Sequence, residues 1–114
     1  MNKNSTRYYS NIQEKKIAKT VGGVRQANSG ATMFAKGDVK KDKWLFEAKT
    51  CMTEKQSFSI KKDWLDKLES EAFGMNKEFF SLVFNFGIQN GENFYILNER
   101  TFKQILALLD ELEY

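Results

Sequence analysis

The segment from Lys36 to Lys49 constrains the fold more than any other. Asp38-Val39-Lys40-Lys41 and Trp44-Leu45-Phe46-Glu47-Ala48-Lys49 read as two short strands, with polar Asp42-Lys43 between them. A side-chain period of two puts Glu47 and Lys49 on one face of the second strand. If Asp42-Lys43 is a two-residue turn, the pairing register sets Asp38 directly across from Glu47. Two carboxylates and an ammonium then converge on one spot.

Around this hairpin the hydrophobic pattern predicts further elements. Residues 1–9 are polar and read as a loose arm. Asn11 to Thr20 reads as a helix that turns Ile12, Ile17, Ala18 and Val21 inward and stops at Gly22-Gly23. Val24 to Asn28 is a short candidate strand. A second helix is expected over Ile60–Phe73, capped by Ser59 and ended by Gly74. Its apolar stripe is Trp64, Leu65, Leu68 and Ala72, with Lys61, Lys62, Lys67 and Glu71 facing elsewhere. Phe79 to Phe86 is apolar almost throughout, as a central strand covered on both faces would be. Asn90-Gly91 marks a turn, and Asn93 to Leu97 returns as a strand. Asn98 then caps a last helix with Phe102, Ile105, Leu106, Leu109 and Leu112 on its buried side. This order predicts an α/β fold: one mixed sheet flanked by helices, in a single domain spanning the 114 residues.

Composition narrows the chemistry. The chain has one cysteine and no histidine, which excludes a Cys/His zinc site and any mechanism with a histidine base. A metal must therefore be held by oxygen, which favours Mg²⁺ or Mn²⁺. No organic cofactor and no membrane partner are expected, since no run approaches the ~20 apolar residues of a spanning helix. The lone Cys51 and the polar start are those expected of a cytoplasmic chain. Residues 1–62 hold fourteen Lys/Arg against five acids, and the rest of the chain is acidic. A basic half suggests a polyanionic partner, and three of its five acids are Asp38, Asp42 and Glu47 of the hairpin.

Hydrolysis of a phosphodiester needs an activated water and neutralisation of charge on the phosphate oxygens, and a divalent metal between two carboxylates supplies both. Asp38 and Glu47 are suited to hold it, joined by the backbone carbonyl of Ala48. Lys49 is placed to hold the attacking water or to stabilise the transition state. Glu14, on the first helix, is the candidate for a further metal or outer carboxylate. Lys36, Lys40, Lys41 and Lys43 suit contacts to a DNA backbone, and Gln56 follows the site closely enough to reach substrate or merely to cap the next helix.

The spacing Gly37-Asp38, eight residues, then Glu47-Ala48-Lys49, after a helix bearing Glu14, resembles the PD-(D/E)XK nuclease superfamily. Arg25 and Ser29-Gly30 ahead of the aspartate are similar to the archaeal and phage Holliday-junction resolvases within it. The resemblance runs from Glu14 to Phe86; Gly37 stands where the superfamily's name has proline. It implies a restriction-endonuclease-like αβββαβ core, with Asp38, Glu47 and Lys49 as the catalytic set and Glu14 as their helix partner. It also implies Arg25 and Ser29 on the scissile-strand phosphate, with Gly30 beside them, and branched DNA as substrate. A four-way junction is two-fold symmetric, so a homodimer is expected, built on the last helix or on the Phe79–Phe86 strand with Phe94-Tyr95. The alternatives are the same chemistry on nicked, single-stranded or restriction-type DNA, a non-catalytic DNA-binding module, and a protein-interaction subunit using the acidic half.

Overall fold

Among the described residues, eight elements follow one another in the order helix, three strands, helix, two strands, helix. The computed structural model describes residues 6–26, 38–87 and 91–113. The elements are α1 (Thr6–Val21), β1 (Val24–Arg25), β2 (Asp38–Lys41), β3 (Trp44–Lys49), α2 (Lys62–Gly74), β4 (Phe79–Phe84), β5 (Phe94–Ile96) and α3 (Glu99–Glu113). The five strands form one sheet in the order β1-β2-β3-β4-β5. Only β3 and β4 run parallel, as the α2 crossover between them requires; the other neighbours are antiparallel. The fold is α/β with a mixed sheet, as the pattern predicted.

The hairpin takes the expected register. Asp38 pairs with Glu47 and Lys41 with Trp44, leaving Asp42-Lys43 as the turn. Asp42 adopts φ of 49°, a left-handed conformation that aspartate tolerates because its short side chain bonds locally. Alternation along β3 and β4 then sorts side chains between two cores. Ile17, Val39, Phe46 and Val83 are buried on the α1 side, with Trp44, Ala48 and Tyr95 packed against them. Leu45, Leu68, Ala72, Phe80 and Leu82 are buried on the α2 side, under Trp64, Leu65 and Ile96. Each fully buried aliphatic side chain contributes ~1.5–3 kcal/mol. β4 feeds both cores, which is why its sequence is apolar almost without interruption.

Several boundaries move. α1 begins at Thr6, so the expected loose arm over residues 1–9 is helical in its second half; the Tyr8 and Tyr9 rings meet edge to face at 5.3 Å, and the Ser10 hydroxyl donates to the Arg7 carbonyl. Ile12, expected inside, is exposed, while polar Gln13 and Glu14 are buried. Gln13 is accommodated because its amide donates to the Val83 carbonyl and to Asn93 Oδ1, and its own oxygen accepts from the Thr50 hydroxyl. Gly22, at φ of 70°, ends the helix, and the Gly23 N–H reaches back to the Ala18 carbonyl at 2.9 Å. α2 starts two residues late, at Lys62, and its N-cap position Lys61 offers no side-chain bond, so Ser59 does not cap it. Asn98 does cap α3, accepting from the Thr101 N–H at 2.9 Å. The face of α3 expected in the core is nonetheless exposed: Phe102, Leu106, Leu109 and Leu112 all lie open. Among the described residues, no helix is long and apolar enough to cross a membrane.

Candidate metal centre

Asp38 lies at the start of β2, directly across the ladder from Glu47. Its backbone carbonyl accepts from the Gln26 N–H at 2.8 Å, so the end of β1 pins the strand where the carboxylate projects. Val39 faces the α1 side, so Asp38 faces the α2 side, with Glu47 and Lys49. α2 closes over that face and adds Glu71. One oxygen from each of Asp38, Glu47 and Glu71 lies within 4.8 Å of the others, a spacing at which the three can hold one metal ion.

The surroundings make this a costly place for bare carboxylates. Asp38 is 1% exposed, and its Oδ1 is buried with no hydrogen-bond partner among the described residues. Burial, then the charges of Glu47, Glu71 and Glu14, push its pKa up to about 8, against the pull of Lys49. Burial also raises Glu47, opposed by Lys49 and Lys67, and raises Glu71, where the charge of Glu47 adds to the effect. An orphaned buried oxygen among three carboxylates is what a hard divalent cation relieves, and every side-chain donor in the group is oxygen.

Lys49 sits beside this group. Its Nζ is 3.8 Å from Glu47 Oε2 and 4.3 Å from the centre of the Trp64 ring, so α2 supplies an aromatic face for the ammonium. Ala48, between the two, packs its methyl on the α1 side and pairs in register with Val83.

No protein-family model, curated protein or solved structure matches this chain.

The remaining predicted residues divide. Glu14 is not one of the clustered carboxylates: its Oε1 is 3.1 Å from Arg25 Nη2, which also donates to Asn11 at 2.8 Å. Arg25 pairs with Val39 and so lies on the α1 face of the sheet, which draws its guanidinium toward α1. Glu14 stays near enough that its charge adds to the upward push on Asp38. Lys41 and Lys43 are exposed at the hairpin tip and Lys40 is half-buried below them; the tip is four residues, ~13 Å, along the strand from Asp38. Lys43 makes a loose pair with Glu78 at 3.8 Å. Gln56 is exposed in the connection to α2. Ser29, Gly30 and Lys36 lie outside the described residues.

Glu71 and Trp64 take places at this group that differ from the sequence expectation. Glu71, expected to face away, is 3% exposed. The signal was present: Trp64, Leu68 and Glu71 recur at helical spacing, so the acid stands on the apolar stripe.

Proposed function

We propose that this chain is a Mg²⁺- or Mn²⁺-dependent endonuclease of PD-(D/E)XK type that hydrolyses DNA phosphodiester bonds, with four-way-junction DNA as its substrate. The observation that carries the reading is Asp38 registered against Glu47 under Glu71, with an Asp38 oxygen buried and unpartnered among the described residues. A divalent ion bound there supplies Lewis acidity at the phosphate and lowers the pKa of a coordinated water.

The chain's own residues do the rest. Asp38, Glu47 and Glu71 hold the ion, with the Ala48 carbonyl as a further candidate ligand. Lys49, steadied between Glu47 and Trp64, offers a cation at the rim of the group, where it orients the attacking water or neutralises charge on the phosphate oxygens. The exposed lysines of the hairpin tip, Lys41 and Lys43, suit contacts to a DNA backbone. The preference for branched DNA is drawn from the resemblance to the resolvases, and the reaction from the residues themselves.

The test is to incubate the protein with a labelled four-way junction, a flap and a linear duplex in Mg²⁺. Junction cleavage is expected, lost in Asp38→Ala and reduced ~10²–10³-fold in Lys49→Ala. Cleavage of flap or duplex in preference to the junction would move the substrate but keep the chemistry. No metal-dependent cleavage of any substrate, or cleavage indifferent to Asp38→Ala, would remove the reading.

A further inference from the structure

A row of aromatic rings runs along the same face of the sheet as the carboxylates. Phe84 pairs with Lys49 of β3 and with Phe94 of β5, so the three side chains share the α2 face. Glu47, Leu82 and Ile96 form the equivalent row two residues back, ~7 Å along the strands. The Phe58 ring stacks on Phe84 at 4.8 Å and meets Trp64 at 6.4 Å. Phe86 stands edge-on to Phe84 and Phe94, at 5.4 and 5.6 Å. These rings are not core. Phe46 and Phe80, which belong to the two cores, are 6% and 7% exposed, whereas Phe58, Phe84 and Phe86 are half-buried and Phe94 is 40% exposed. Rings that pack on one another and still face water offer an apolar surface to a planar ligand.

Charge gives that ligand an orientation. Lys49 and Lys61 lie over the ring of Trp64, 4.3 and 5.8 Å from its centre, so the Trp64 end of the row is cationic. At the other end Lys55, whose N–H donates to the Phe86 carbonyl, is offset by Glu54 against Gly87 and by Glu92 two residues ahead of Phe94. A ligand with an anionic group at one end and a flat, uncharged ring at the other matches both ends. A nucleotide is such a ligand, with its phosphate at Lys49 beside the carboxylates and its base on Phe84 and Phe94. Phenylalanine offers no hydrogen-bonding group, so the row reads the π-face common to all bases rather than their edges.

We propose that this aromatic row stacks an unpaired base of the DNA strand whose phosphate lies at Lys49, so that the nucleotide beside the cut is one out of its duplex stack. The place of the phosphate rests on the nuclease reading; the stacking surface rests on the rings themselves. A base inside a duplex has both faces covered by its neighbours and must first be drawn out, at a cost that is least where the base is already unpaired. DNA with an unpaired base beside the cut is therefore taken in preference to the same DNA fully paired.

Fluorescence anisotropy in Ca²⁺ tests this, with a single-stranded oligonucleotide compared with the same backbone carrying abasic sites. Wild type should bind the base-bearing strand about 5–150-fold more tightly. Phe94→Ala should remove most of that difference by weakening the base-bearing complex alone, and Phe94→Trp should keep it. Phe94 is exposed, so circular dichroism should be unchanged in both variants. Equal wild-type affinity for the two strands, or a Phe94→Ala loss shared by both, overturns the inference. If junction cleavage in Mg²⁺ persists alongside that result, the nuclease reading stands and only the base site falls; no binding of either strand removes both. A mass above the 13.3 kDa of one chain in light scattering, returned to the monomer by Phe94→Ala, would assign the row to a second copy and also overturn it.

Discussion

Asp38 concentrates the tension in the molecule. Its carboxyl is pushed up to about 8 by burial and by three neighbouring acids. The metal-free folded chain therefore holds a proton that the unfolded chain releases above the ordinary value near 3.8. Stability from this group is fully present below that ordinary value and is lost as pH rises toward about 8. Thermal unfolding in a chelator should show the melting temperature falling over that range, and Mg²⁺ or Mn²⁺ should restore it most at the alkaline end. Asp38→Asn should flatten the profile, raise metal-free stability near neutral pH by ~1–3 kcal/mol, and abolish the metal-induced rise. A profile identical to wild type would mean that Asp38 is not the strained group. Glu71→Gln tests the third ligand: titration calorimetry with Mn²⁺ should show affinity reduced ~10–100-fold with the fold intact. At this scale two of the three clustered carboxylates were legible, with the lysine beside them. Asp38, Glu47 and Lys49 followed from a two-residue turn and a period of two, which leave no freedom in register. Glu71 depended on how α2 is rotated over the sheet, which spacing leaves open for a charged residue at the margin of an apolar stripe.

Among the elements, order and type were set by local pattern, and the ends were set by contacts that pattern does not show. α1 and β1 illustrate the difference. Gly22 bends the chain in the left-handed region, and Gly23 then passes so close to β2 that a Cβ built on it meets the Lys40 carbonyl at 2.8 Å, with Val21 and Val39 at 3.1 Å. The pair was legible as a helix stop, but not as the close contact that delivers β1 to the sheet edge. Gly23→Ala should therefore destabilise the protein by ~1–3 kcal/mol, read as a lower denaturation midpoint at unchanged slope. A neutral effect would show that β2 yields easily there, and that the turn alone positions β1. α3 makes the complementary point. Its period correctly marked the face that wants cover, but amphipathicity is silent about what supplies the cover, and the expectation of the chain's own core was wrong.

Across the whole molecule the charge is divided between a basic first half and an acidic second half, and the fold places the exposed lysines of the hairpin tip apart from the carboxylates. The grouping of Asp38, Glu47 and Lys49 was legible because a register defines it; a substrate's shape is not written that way, because it depends on surfaces that no short spacing encodes. Binding and chemistry are correspondingly separable. Lys41 and Lys43 lie ~10–13 Å along the strand from Asp38, and the Lys43–Glu78 pair is exposed, so releasing it costs little. Each lysine that contacts a phosphate adds close to one unit to the slope of log affinity against log salt. Lys41→Gln with Lys43→Gln should lower that slope by about two, weakening junction and duplex alike, and leave Mn²⁺ affinity unchanged. Asp38→Ala should do the reverse, keeping the salt slope while cleavage disappears. Fluorescence anisotropy at several salt concentrations, in Ca²⁺ in place of Mg²⁺, measures both. If the lysine variant keeps the wild-type slope, the hairpin tip faces away from DNA, and the backbone runs instead over other exposed lysines, of which Lys61, Lys62 and Lys67 lie on the α2 side with the carboxylates.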